Sequence, residues 1–269
     1  MAQSTFSMTQ HGRSEPFDLQ VGRGQIPYHQ RVELFGYSTA VGSTALGPLW
    51  EGLTLSGGSY TYPSSAGQIV LLSASGATDA GLIIQIQGLD ANYNLLSENA
   101  TLNGSGTVTS VNSYFRINGL YITNGVNAGN ITAKISSTLY AQINAGVGQT
   151  QMSIYTVPNG YTFYLSYVQA NASIGFTSST YMTFAELNKF NLPGSVAQNG
   201  YTFSSNGNTT LLSQSPFVQI FEIPYSSPAG HPGGTDIQYQ LKASTGSPYT
   251  GSIFAGGYLI LNDGTANGY

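Results

Sequence analysis

The residues able to carry acid–base chemistry are few and scattered. Of eleven Asp and Glu in 269 residues, only Asp79, Asp90 and Glu98 form a loose cluster along the sequence. Two carboxylates held a few ångströms apart can protonate a leaving group while activating water, so such a cluster is where hydrolytic chemistry would be sought. Each of the three also has a structural use. Asp90 follows Gly88-Leu89 in a turn-like phrase where its side chain can bond the backbone, Asp79 sits in the loop Ser75-Gly76-Ala77-Thr78-Asp79-Ala80, and Glu98 closes a strand-like run.

The remaining chemistry is equally thin. His11, His29 and His231 are the only imidazoles and stand in no H-x-H or H-x-x-x-H spacing, so no metal site is expected. Cysteine is absent, which excludes disulfides and thiolate chemistry. No Gly-x-Ser-x-Gly elbow lies between a strand and a helix. Gly22-Arg23-Gly24 and Gly57-Gly58 lack the following Lys and helix of a phosphate loop. The expectation is a protein that is not an enzyme and uses no cofactor.

Charge narrows the partners. Charged residues make up 7% of the chain, and six of them (Arg13, Glu15, Asp18, Arg23, Arg31 and Glu33) fall within the first 33 positions. Only four Lys or Arg follow, at a net charge of −4, so there is no basic stripe to neutralise phosphates and nucleic acid is not an expected partner. No apolar run reaches the roughly 18–20 residues of a membrane span, and the first residues lack the basic and apolar regions of a signal peptide. Cytoplasmic synthesis and no membrane partner are therefore expected.

The elements that would position these groups read as strands. Helical periodicity is nearly absent, while 68–73, 82–87, 113–117 and 129–135 are short, apolar or alternating, and separated by turn residues. Small polar residues at 143–150 mark a boundary, after which 151–157 and 161–168 read as strands around Pro158-Asn159-Gly160. That phrase suits a type I turn with Gly in fourth place, although Asn159 also tolerates a positive φ. Further strands are expected at 180–187, 217–223, 235–243 and 252–261, with loops at 191–207 and 224–234. The fold class is all-β: two β-sandwich or jelly-roll modules, 50–145 and 146–269, preceded by an extended N-terminal arm, 1–49.

The arm differs from the body. Residues 17–36 mix alternating apolar positions with Gly and Pro, which favours an extended, sheet-edge path along a surface. Arg13, Arg23, Gln25, Ile26, Tyr28, His29, Arg31, Phe35 and Trp50 are the residues expected to contact partners, with the guanidinium forks suited to a neighbour's carboxylates. Trp50, the one indole, is read as the anchor where arm meets body, its burial contributing about 2–3 kcal/mol. Deleting residues 1–36 is expected to leave the body folded.

Several phrases carry a resemblance. Gln-Val-Gly-Arg-Gly-Gln-Ile-Pro at 20–27, Leu-Trp-Glu-Gly at 49–52, Tyr-Thr-Tyr-Pro at 60–63, the run from Gly88 to Tyr93 and Tyr-Thr-Val-Pro-Asn-Gly at 155–160 resemble virion structural proteins of tailed bacteriophages, aquatic ones in particular. The resemblance implies a capsid cement or decoration protein, with a neck- or tail-associated fibre as the alternative. It further implies homotrimers, contact with the major capsid or other virion proteins, and residence in the virion after synthesis in the bacterial cytoplasm. Tyr-rich strands leave glycan or receptor binding open as a second function, with loops 191–207 and 224–234 as its surface.

Overall fold

A computed structural model of the chain describes residues 15–42, 45–52, 60–173, 181–190, 197–206, 217–221, 230–243 and 249–262. One helix, α1 (Phe17–Gly22), precedes strands β1 (His29–Val41), β2 (Gly47–Pro48), β3 (Gly67–Ser73), β4 (Ile83–Leu89), β5 (Leu95–Thr101), β6 (Val108–Tyr114), β7 (Arg116–Ile122), β8 (Ile131–Ile135) and β9 (Thr138–Ile143). There follow β10 (Ile154–Thr156), β11 (Tyr161–Ser173), β12 (Tyr181–Phe190), β13 (Ala197–Asn206), β14 (Phe217–Phe221), β15 (His231–Pro232), β16 (Thr235–Ala243) and β17 (Tyr249–Leu261). The protein is all-β, and the strands of the described residues pair antiparallel in four sheets.

The first sandwich sets the sheet β6-β3-β8-β9 against β5-β4-β7. Alternation along the strands drives this. Ile69 and Leu71 of β3, Ile84 and Ile86 of β4, and Ile131 and Ala133 of β8 all point into one core with no exposed surface. Their neighbours Gln68, Leu72 and Gln87 face outward.

The second sandwich sets β1-β17-β11-β14 against β10-β16-β12-β13, around Leu34, Phe163, Val168, Ile237, Tyr239, Ile253 and Leu259. Its composition corrects the expected arm. Residues 29–41 are extended, as read, but they form a strand of the body: β1 pairs with β17 from His29↔Ile260 to Ser38↔Gly251 and on to Val41↔Tyr249. The reason is the pattern Leu34, Gly36, Ser38 and Val41, which turns one face inward. At Gly36 a Cβ would lie 2.5 Å from Ser153 Cβ and 2.8 Å from Leu49 O, so the strand rests directly on its own chain. With β2 pairing β16, β1, β2 and Leu49 fold with the C-terminal half, and the first sandwich is inserted between β2 and β10.

Part of the arm is helical rather than extended. Pro16 stands at the N-cap of α1, where its carbonyl accepts the Leu19 and Gln20 N–H groups, both at 3.1 Å, and Asp18 complements the positive end of the first turn. Its end is a Schellman motif, with Gly24 at φ +68°: the Gly24 N–H donates to Val21 O at 2.9 Å and the Gln25 N–H to Gln20 O at 2.9 Å. Six residues are too few to be helical alone, so packing must hold α1, and buried Val21 and the Phe17 ring provide it. Two further readings change. Residues 197–206 are strand β13 where a loop was expected. At 158–161 the turn bond runs from the Tyr161 N–H to Pro158 O, and the positive φ falls on Gly160 at +80°, one place earlier than the type I reading had it.

Candidate interaction surface

The outer face of the sheet β1-β17-β11 gathers aromatic side chains from both ends of the chain. Its register sets Phe35 beside Phe254, Arg31 beside Tyr258 and His29 beside Ile260, and Tyr258 in turn faces Tyr164. A bulge between Leu165 and Tyr167 breaks β11 opposite Gly256 and Gly257. Glycine is needed there. A Cβ on Gly256 would lie 2.5 Å from Tyr167 Oη, and one on Gly257 would lie 2.1 Å from the Tyr164 carbonyl oxygen. Tyr167 therefore lies across the sheet, packed on Phe254 at 5.4 Å between ring centroids.

Charges on this face are mutually satisfied. Arg31 and Glu33 form an ion pair, and the Tyr167 hydroxyl donates to Glu33 Oε1 at 3.3 Å. Burial is the first of the influences that hold the Tyr167 phenol above its ordinary pKa.

At one end of the face α1 overhangs the sheet and encloses an open groove of 520 Å³. Phe17 makes edge-to-face contacts with Tyr258 at 5.1 Å and His29 at 5.8 Å. Tyr164, Ser166, Tyr258 and Ile260 form the floor, and Asp18 stands at the rim. His29 Nδ1 lies 2.8 Å from Pro27 O, and a carbonyl can only accept, so Nδ1 carries the hydrogen.

The expected contact residues are distributed unevenly around this surface. His29, Arg31 and Phe35 share the outer face, and Phe35 is 37% exposed. Tyr28 is 58% exposed at φ +65°, and its carbonyl accepts the Leu261 N–H at 2.9 Å. Arg23 pairs with Glu15 at 2.5 Å beside α1, and exposed Gln25 and half-buried Ile26 lie in the turn that follows. Arg13 and His11 lie outside the described residues. Trp50 is overturned as a partner contact: it is 1% exposed, bridges Met152 and meets Tyr60 edge-on at 5.2 Å in the first core. Phe17, Tyr164, Tyr167, Phe254 and Tyr258 were missed; outward parity on strands flanking a glycine pair could have signalled the four on β11 and β17, but nothing local signals Phe17 in α1.

The three acids weighed for catalysis hold loops together. Asp79 accepts from Ser73 Oγ at 2.5 Å and from the Ala128 and Gly129 N–H groups at 2.6 and 3.1 Å. Burial opposes its ionised form, but these donors hold its carboxyl below the usual range. Asp90 caps its own turn through the Asn92 and Asn94 N–H groups, at 2.8 and 2.9 Å. Glu98 accepts from the Val111 and Asn112 N–H groups at 2.9 and 2.8 Å, tying β5 to β6. Glu51, at the junction of the sandwiches, accepts from the Asn144 and Gln151 N–H groups at 3.1 and 3.0 Å, and burial pushes its carboxyl up to about 7.

His231, within the loop expected at 224–234, is instead packed in β15. Its Nε2 lies 3.1 Å from Glu186 Oε1 and its ring stacks on Phe163. Among the described residues no group of three or more His, Asp or Glu could hold a metal ion, and no helix is long and apolar enough to cross a membrane. Loop 191–207, apart from β13, and residues 224–229 lie outside the described residues.

No protein-family model matches the chain, and no curated protein matches it. Among solved structures, that of the infectious bursal disease virus Gx strain aligns with 88% of this chain and 72% of its own at 12% identity and a TM-score of 0.24. The crystal structure of the infectious bursal disease virus VP2 subviral particle aligns with 94% and 88% at 11% identity and a TM-score of 0.12. Scores this low carry no argument about the present chain.

Proposed function

We propose that the protein is a non-enzymatic structural component of a tailed-phage virion, a capsid cement or decoration protein whose N-terminal segment docks on neighbouring subunits. The observation that carries this reading is a concentration of open apolar surface. Of the nine exposed large apolar side chains among the described residues, Phe17, Leu19, Tyr28 and Phe35, 46%, 49%, 58% and 37% exposed, lie within one stretch of nineteen residues anchored by β1 to the body, whereas Leu72, Leu95, Val111, Val126 and Val147 are spread over the first sandwich and its exit. Large apolar side chains held outward on a rigid element are what a protein interface uses, and Arg23 and Gln25 between them supply polar contacts.

The acids engaged in structural hydrogen bonds and the sequence resemblance favour the same reading. The major capsid protein is its partner, and a homotrimer is its working form. Mass spectrometry of purified particles tests this, followed by particle incorporation of a Tyr28→Asp, Phe35→Asp variant. The chain should be present in many copies and the folded variant absent from particles; absence of the chain from particles, or normal incorporation of the variant, overturns the reading.

A further inference from the structure

We propose that the groove between α1 and the outer sheet face binds a neutral pyranose sugar. This does not rest on the virion reading. At 520 Å³ the groove falls within the roughly 300–1,000 Å³ of small-ligand sites. A pyranose presents an apolar C–H face and a rim of hydroxyls, so its site needs an aromatic platform edged by hydrogen-bonding groups. Tyr164 and Tyr258, directly opposed on β11 and β17, supply the platform, and Phe17 walls it at 5.1 Å from Tyr258.

The polar groups suit hydroxyls. Asp18 has no hydrogen bond or ion pair among the described residues, so both carboxylate oxygens are available to adjacent hydroxyls. The His29 Nδ1 hydrogen is committed to Pro27 O, which leaves Nε2 as the ring nitrogen open to a sugar hydroxyl. Ser166, exposed at the β11 bulge, both donates and accepts.

Charge selects the kind of sugar. The lining holds one carboxylate and no Lys or Arg. The nearest guanidinium along the ladder, Arg31, is engaged by Glu33. An anionic sugar or a phosphate therefore meets like charge without compensation, whereas a neutral hexose meets acceptors for its hydroxyl protons.

Saturation-transfer NMR on the full chain with D-glucose, D-galactose, D-mannose and L-rhamnose, and D-glucuronate as the anionic comparison, tests the proposal. At least one neutral sugar should bind, D-glucuronate about tenfold or more weakly, and Tyr258→Ala and Asp18→Ala should each weaken binding about tenfold. Should Tyr258→Ala fail to fold by circular dichroism, Asp18→Ala, on the exposed side of a surface helix, decides alone. No transfer to any neutral sugar, equal binding of D-glucuronate, or unchanged binding in Asp18→Ala overturns the proposal.

Discussion

Arg116 of the first sandwich and Asp236 of the second meet in a two-pronged buried ion pair, Nε–Oδ1 at 2.8 Å and Nη2–Oδ2 at 2.9 Å. The guanidinium is caged. Its carbon lies 4.1 Å from the Phe115 ring centroid and 4.8 Å from that of Tyr62, and Nη1 donates to Phe115 O and Pro63 O. Thr156 Oγ1 adds a hydrogen bond to Asp236 at 2.6 Å. The pair thus joins the inserted sandwich to the other at a buried point of their junction.

Removing one partner leaves the other buried without its counter-charge. Arg116→Ala and Asp236→Ala should each cost about 3–5 kcal/mol, while the double variant costs clearly less than their sum. Urea unfolding of the four proteins of the cycle checks this; additive losses would deny the coupling.

The glycine pair in β17 should respond unequally. Gly257→Ala drives a Cβ into a backbone carbonyl that cannot step aside, and should cost about 3 kcal/mol or more. Gly256→Ala meets only the far end of the Tyr167 ring, which can swing, and should cost about 1 kcal/mol. Thermal denaturation of both variants separates the two cases.

Glu51 sets a stability slope on the neutral side. Its carboxyl is raised from 4.5 to about 7 in the fold, so across that interval the folded state keeps a proton that the unfolded chain has released. Stability then falls as pH rises through the interval, by on the order of 3 kcal/mol, and levels off above it. Glu51→Gln should abolish the slope between about pH 5 and about pH 8 in urea titrations; a variant that retains it would assign the slope to other groups.

Asp79 acts in the opposite sense. Its carboxyl is lowered, so its contribution is complete above the unfolded value of 3.8 and is lost as pH falls through the folded one. Asp79→Ala should cost about 3 kcal/mol at neutral pH, since Ser73, Ala128 and Gly129 each lose their acceptor. Chemical denaturation measures the loss, and a change within experimental error would mean that water replaces the carboxylate.

Deletion of residues 1–36 should unfold the second sandwich. It removes most of β1, including Leu34 from the core and the ladder from His29 to Gly36. The cooperative transition of that half should disappear; a truncated chain that melts like the full one would show β1 to be dispensable.

The sequence by itself determined the class of fold and the local role of Asp90. Period-two alternation at 68–73 and 82–87 dictates half-buried strands whatever their partners, and Asp90 after Gly88-Leu89 bonds its own turn locally. Only the tertiary structure decided what covers β1. Pairing of residue 29 with residue 260 is a long-range choice, made because the inward face of β1 completes a core supplied by β11, β16 and β17, and no local pattern records it. The groove followed from the same choice. Phe17 and His29 come to line one groove with Tyr164 and Tyr258 because β1 pairs with β17, so residues that read as a free arm became one wall of that groove.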